Sequence, residues 1–135
     1  MIRTLLTVLV LSLLSTPVFG EWKKVSMGVD GTTNYVDFER IRKHGGYVYY
    51  WELKDIILPN RRNTPNTIES ISGKTYIQGD CKLFRFKNLS ASIHKEPMGG
   101  GTPSISSNTP DKEWNYPSPN SVDETLLKSV CAYAK

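Results

Sequence analysis

The sequence is poor in the residues that most often carry chemistry, with only two cysteines, Cys81 and Cys131, and two histidines, His44 and His94. These four residues show no ligand-like spacing, so a zinc site with three or four protein ligands is not expected. The Cys-x-x-Cys pair of a redox site is absent, and so is a glycine-rich loop that ends in Lys and Ser or Thr. We therefore predict no metal, no cofactor and no catalytic site, and so not an enzyme.

The sequence also lacks an apolar run of the roughly twenty residues that a bilayer span requires. Its longest run, Leu5 to Leu14, follows Arg3 and precedes Val18-Phe19-Gly20, where a signal peptidase reads small residues. We predict that residues 1–20 are a cleaved signal peptide and that residues 21–135 form one exported domain. No cysteine for lipid attachment stands at the cleavage site, which leaves the periplasm, the cell surface and secretion open.

A strong charge of one sign is missing as well. The chain has 17 Lys and Arg against 13 Asp and Glu. Removal of the signal peptide takes away Arg3 and leaves 16 − 13 = +3. This excess is too small and too dispersed for a nucleic-acid surface, and the pair Arg61-Arg62 lies in a loop rich in Pro and Asn. We predict no nucleic-acid partner.

The two cysteines are expected to pair because an exported chain folds in an oxidising compartment. A bond from Cys81 to Cys131 closes a loop of 131 − 81 = 50 residues. Chain entropy makes such a bond worth about 4 kcal/mol, a large share of the stability of a small domain.

The first two thirds of the predicted domain show the alternation of β-strands. The segment Tyr47 to Ile57 is the strongest, since its aromatic and β-branched residues occupy both faces, which is typical of a central strand. Within it, Tyr47, Tyr49, Tyr50 and Trp51 are the residues that could stack a ligand, although strand spacing favours a place in the core. The other predicted strands are Trp22 to Met27, Asn34 to Phe38, Ile68 to Gln78 and Cys81 to Ile93, with turns at Asp30-Gly31 and Gly79-Asp80 and one helical turn within Asp37 to Lys43.

The last forty residues change character. Glu96 to Pro119 is rich in Gly, Ser and Pro and predicts a long loop, which Trp114 and Tyr116 would anchor. A helix follows, because Ser121 and Glu124 form a capping box. The helix has an apolar stripe at 3.6-residue spacing, composed of Leu126, Leu127, Val130, Cys131 and Ala134.

The order of these segments resembles the bacterial surface-adhesin protein E family. The resemblance rests on Asn34-Tyr35-Val36-Asp37, the aromatic strand, Gly79-Asp80-Cys81, the glycine loop Met98 to Gly101 and the terminal Val130-Cys131-Ala132-Tyr133. It implies an α+β fold: a single antiparallel β-sheet of about six strands, with one C-terminal α-helix held on its concave face by the disulfide. It also implies a non-enzymatic adhesin that binds extracellular-matrix or serum proteins of a host.

Three hypotheses for function follow. The first is an exported binding protein of the adhesin E type. The second is a periplasmic enzyme inhibitor or accessory protein on the same scaffold, which differs from the first by its location. The third is a small secreted hydrolase built on His44 and His94, but nothing in the sequence brings these two residues together, and both are predicted to be exposed.

Overall fold

The computed structural model describes residues 21–58 and 69–135, and its main element is an antiparallel sheet. The predicted signal peptide and Arg61-Arg62 lie outside the described residues. No helix in the described part of the chain is long and apolar enough to cross a membrane. The strands are β1 (Lys23–Met27), β2 (Thr33–Val36), β3 (Arg42–His44), β4 (Tyr47–Leu58), β5 (Glu69–Asp80), β6 (Arg85–His94) and β7 (Ile105–Ser107).

The strands follow the order β1-β2-β4-β5-β6-β7, and β3 pairs with β4 beside β2. The long β4–β5 hairpin forms the middle of the sheet, so the prediction that the aromatic strand is central is confirmed. Within residues 21–58 and 69–135 the sheet has seven strands, where about six were expected. Two strands were not among those predicted: β3 follows the predicted helical turn and pairs with β4, and β7 lies inside the predicted loop and pairs with β6. A short 3-10 turn, Pro97–Gly99, precedes β7.

The β5–β6 turn differs from the prediction, since β5 continues through Asp80 and Cys81 lies in the turn at residues 81–84. Asp80 holds this turn: its Oδ1 accepts hydrogen bonds from the backbone N–H groups of Lys82 and Leu83, both at 3.1 Å. Its Oδ2 accepts a bond from Arg85 Nε at 2.9 Å. Burial alone would raise the pKa of Asp80, but these donors outweigh burial and hold the pKa below its usual range.

Helix α1 (Val122–Tyr133) covers one face of the sheet, and the core lies between them. Gly79 permits this packing, because a Cβ there would stand 2.9 Å from Val48 Cγ2 and 3.1 Å from Leu127 Cδ1. The core consists of Val36, Val48, Tyr50, Ile77 and Phe86 from the sheet, with Leu126, Leu127 and Val130 from the helix.

The disulfide between Cys81 and Cys131 is present, with the two Cα atoms 5.6 Å apart. It joins the β5–β6 turn to the last turn of α1, beside the buried stripe of the helix. The predicted pairing and its role of holding the helix on the sheet are therefore confirmed.

Ser121 caps α1 as predicted, since its Oγ accepts a hydrogen bond from the backbone N–H of Glu124 at 3.1 Å. The second bond of the predicted capping box is shifted by one residue, because Glu124 Oε1 accepts from the N–H of Asn120 at 3.4 Å. Ser121→Ala removes the Oγ acceptor and is expected to lower the free energy of unfolding by about 1 kcal/mol, measured by chemical denaturation. Ser129→Ala is the matched control, because Ser129 lies inside the same helix and donates only to the carbonyl of Thr125. An equal loss in both variants would contradict a specific capping role.

Candidate functional site

The sheet face opposite α1, here called the outer face, carries a row of aromatic side chains. Cross-strand pairing places Tyr49 opposite Gln78 and Trp51 opposite Tyr76, so these side chains share one face. The rings of Trp51 and Tyr76 are 4.9 Å apart, and those of Tyr49 and Tyr76 are 6.2 Å apart. Gln78 Nε2 donates a hydrogen bond to Tyr49 Oη at 3.1 Å, which fixes the position of that ring.

Trp114 extends the row toward β6. Its ring lies 5.4 Å from that of Tyr47, and two cations approach it: Arg85 Cζ lies 4.2 Å and Lys87 Nζ 4.9 Å from the ring centroid. Both distances are within the range of a cation–π interaction. Together these residues form a surface, here called the aromatic–cationic surface, composed of Tyr47, Tyr49, Trp51, Tyr76, Trp114, Arg85 and Lys87; each is partly exposed.

The backbone next to Trp114 holds this residue against the sheet. Asn115 and Phe86 exchange two backbone hydrogen bonds, of 2.8 and 2.9 Å, and Asn115 Nδ2 donates to Asp111 Oδ2 at 2.8 Å. Trp114 therefore anchors the segment before α1, as predicted. Tyr116 is 66% exposed and is not buried as an anchor.

The position of Arg85 is fixed by its ion pair with Asp80, in which Nε lies 2.9 Å from Oδ2. Hydrogen bonds to Tyr116 and to Asp80 raise the pKa of the Arg85 guanidinium. Since Asp80 also holds the β5–β6 turn, the same carboxylate positions Arg85 beside Trp114. The aromatic–cationic surface thus has one cation in a defined orientation.

The prediction that the aromatic residues of β4 belong to the core is correct for Tyr50, which is 2% exposed beneath α1. It is wrong for Tyr47, Tyr49 and Trp51, which lie on the outer face and remain partly exposed. The reason is the position of α1, which covers one face of the sheet and leaves the other to shorter segments.

The two histidines do not form one site. His44 pairs with Tyr47 at one end of the sheet, whereas His94 pairs with Ser72, which stands opposite Asp55. Eight residues of β4 separate these positions, a distance of about 26 Å at ~3.3 Å per residue. His44 is exposed as predicted, but the prediction for His94 is wrong.

His94 is buried, with 2% of its surface exposed. Its Nε2 lies 2.9 Å from Ser92 Oγ and its Nδ1 lies 3.2 Å from the carbonyl oxygen of Gly100. These contacts hold the chain after β6 against the end of the sheet. Both ring nitrogens of His94 therefore have a partner, and its burial has a structural explanation.

Within residues 21–58 and 69–135, no group of three or more His, Cys, Asp or Glu residues is placed to hold a metal ion. The residues that the sequence interpretation missed are Arg85, Lys87 and Tyr76, which complete the outer face. The alternation Arg85-Phe86-Lys87 was a usable signal, because residues two apart in a strand share a face.

The fold and this surface define a disulfide-tied α+β protein with an exposed aromatic patch on its sheet. The family model described as surface-adhesin protein E matches residues 22–132, and the chain belongs to this family. Its structure is similar to crystal form II of Haemophilus influenzae protein E, with a TM-score of 0.61 and 17% sequence identity over 87% of this chain and 93% of that chain. At this identity the likeness shows a shared fold. No curated protein sequence matches the chain significantly.

Proposed function

We propose that the protein is an exported adhesin that binds an extracellular-matrix or serum protein of a host through the aromatic–cationic surface, without catalysis. The observation that carries the proposal is the convergence of Trp114, Arg85 and Lys87 beside the aromatic row of β4 and β5. Membership of the surface-adhesin protein E family supports it.

The composition of this surface is that of a protein-binding hot spot. Trp, Tyr and Arg are the residues whose truncation most often weakens protein complexes, because they bury large areas with few rotatable bonds. Here the aromatic rings pack on one another and Gln78 donates a hydrogen bond to Tyr49, so these side chains are already ordered before a partner binds. A preorganised patch loses less conformational entropy when a partner docks.

The charge of the surface favours a partner with acidic side chains. Arg85 is already paired with Asp80, but Lys87 makes its described contact with the ring of Trp114 and adds a positive charge beside it. We therefore expect the association rate to fall as salt rises, since screening weakens attraction between exposed charges.

The proposal is tested with Trp114→Ala on a panel of immobilised extracellular-matrix and serum proteins, by surface plasmon resonance at low and moderate salt. Loss of this ring is expected to weaken binding at least tenfold, about 1.4 kcal/mol or more. Tyr133→Ala is the control, because Tyr133 is an exposed ring on α1 that also packs on another ring, that of Phe38. Lys87→Ala, which removes one exposed cation, is expected to weaken binding chiefly at low salt.

Equal effects of Trp114→Ala and Tyr133→Ala would contradict the assignment of this surface. Labelling of intact cells tests the location, since an adhesin must be accessible from outside. Retention in the periplasm with recovery of a periplasmic enzyme would favour the inhibitor hypothesis. Turnover by the wild type that His44→Ala abolishes would restore the hydrolase hypothesis.

A further inference from the structure

A second group of basic side chains lies on the other side of the aromatic row, on strand β3. The register places Arg42 directly opposite Tyr49. His44 stands opposite Tyr47 in the same way. Residues that stand opposite each other on two paired strands share one face of the sheet, so Arg42 and His44 lie on the outer face. Both are exposed. The aromatic row therefore has basic residues on both sides, from β3 and from β6.

One row of side chains runs across four strands of the outer face, from β3 to β6. Tyr49 stands opposite Gln78, and Gln78 stands opposite Lys87. The row is composed, in order, of Arg42, Tyr49, Gln78 and Lys87. Since neighbouring strands are ~4.8 Å apart, three such intervals place the backbones of Arg42 and Lys87 about 14 Å apart. The row thus has a cation at each end and an aromatic ring between them.

The two cations at the ends of this row are available to a partner. The ion pairs among the described residues involve neither Arg42 nor Lys87. Lys87 Nζ lies against the ring of Trp114, a contact that leaves its positive charge without a counter-charge. Arg85 differs, because it is already paired with Asp80 at 2.9 Å. An acidic group of a partner therefore meets an uncompensated cation at either end of the row.

We propose that the partner of this surface presents an extended segment with an aromatic residue between two acidic residues, which lies across the strands from Arg42 to Lys87. This inference rests on the proposed adhesin function and adds the form of the segment that is recognised. In an extended chain, four residues span about 13 Å at ~3.3 Å per residue, so acidic residues four positions apart match the two cations. The ring between them packs on Tyr49 and on the adjoining rings of Trp51 and Tyr76.

The composition of the outer face favours such a segment over a uniformly charged polymer. A sulfated glycan carries negative charge along its whole length, whereas the middle of the row is the uncharged pair Tyr49 and Gln78. Polyanions bind chiefly by releasing counterions, and this requires many unpaired cations. The row supplies two, and Asp80 already neutralises Arg85 beside it.

The test uses the whole chain and the synthetic peptide Glu-Ala-Phe-Ala-Glu with blocked ends. Binding is followed by NMR, through the backbone amides of β3 and β6 and the indole N–H groups of Trp51 and Trp114. Three peptides of equal length serve as ligand controls. Gln-Ala-Phe-Ala-Gln lacks the charges, Glu-Ala-Ala-Ala-Glu lacks the ring, and Glu-Glu-Phe-Ala-Ala keeps both but loses the spacing. We expect saturable shifts with the first peptide and binding at least threefold weaker with each control.

Arg42→Gln and Lys87→Gln are each expected to weaken binding of Glu-Ala-Phe-Ala-Glu about threefold, the effect of losing one exposed ion pair. Lys43→Gln is the matched control and should leave the affinity unchanged. Lys43 is exposed on the same strand, but it stands opposite the buried Val48 and so lies on the other face of the sheet.

Arg42→Glu reverses the charge at one end of the row. This variant is expected to prefer the peptide Lys-Ala-Phe-Ala-Glu over the doubly acidic peptide, whereas the wild type has the opposite preference. A reversal of preference cannot arise from a general loss of structure, so it reports contact between this position and the end of the peptide.

The inference is overturned by equal binding of the spaced and unspaced acidic peptides, by equal weakening in Lys43→Gln and Arg42→Gln, or by an unchanged preference in Arg42→Glu. Saturable binding of a heparin-type oligosaccharide at this surface, in place of the peptide, would also overturn it. The adhesin function fails separately. If no matrix or serum protein binds although the peptide does, the function is wrong and the form of the segment stands. If Trp114→Ala abolishes binding of a matrix protein that Arg42→Gln leaves unchanged, the function stands and the inference is wrong.

Discussion

Replacement of both cysteines, in the variant Cys81→Ala, Cys131→Ala, is expected to lower the free energy of unfolding by about 4 kcal/mol. The bond closes a 50-residue loop, and its removal returns that loop's freedom to the unfolded chain. The effect is large because the total stability of such a domain is roughly 5–15 kcal/mol. Chemical denaturation of the variant and of the oxidised wild type measures the difference.

The reduced wild type provides the control for side-chain packing, because it keeps both sulfur atoms and lacks the bond. Reduced protein and double variant should show similar losses. A loss below about 1 kcal/mol in both would mean that the packing of Leu126, Leu127 and Val130 alone holds α1 on the sheet.

Glu52→Gln is expected to raise the free energy of unfolding by about 3 kcal/mol above pH 7 and to change it little near pH 4. In the folded protein burial raises the pKa of Glu52 from 4.5 to about 7. Between these values the folded state keeps a proton that the unfolded state releases, so wild-type stability falls as pH rises from 4.5 to 7. Each pKa unit corresponds to about 1.4 kcal/mol, and glutamine has no proton to lose.

Denaturation curves at several pH values measure this difference. Glu39→Gln is the control, because it removes the same charge from an exposed side chain. A difference between Glu52→Gln and wild type that does not vary with pH would show that Glu52 titrates normally, and would contradict the burial argument.

Two kinds of feature could be predicted from the sequence: those for which few arrangements are possible, and those that neighbouring residues determine. Two cysteines in one chain allow a single intramolecular pairing, and the structure has it. The start of α1 depends on Ser121 and Glu124, three residues apart, so local chemistry was sufficient. The long aromatic strand was recognisable because its period and composition do not depend on the rest of the fold.

The features that were missed depend on contacts between distant segments. Strand β7 has three residues, and its pairing with β6, not its composition, makes it a strand. His94 is buried because Gly100, beyond the end of β6, folds back over it. The aromatic–cationic surface depends on the hydrogen bonds between Phe86 and Asn115, which hold the neighbouring Trp114 against the sheet. Phe86 and Asn115 are 29 residues apart in sequence.

The edge strands β1 and β7 limit how a partner can attach to the sheet. At one border β7 offers three residues, and at the other β1 has five and an irregular register between Lys24 and Ser26. Strand addition requires an extended row of main-chain donors and acceptors as a template, and short or bulged borders supply little of it. Under the proposed adhesin function, we therefore expect a partner to be recognised through side chains, and its choice to be sensitive to single substitutions.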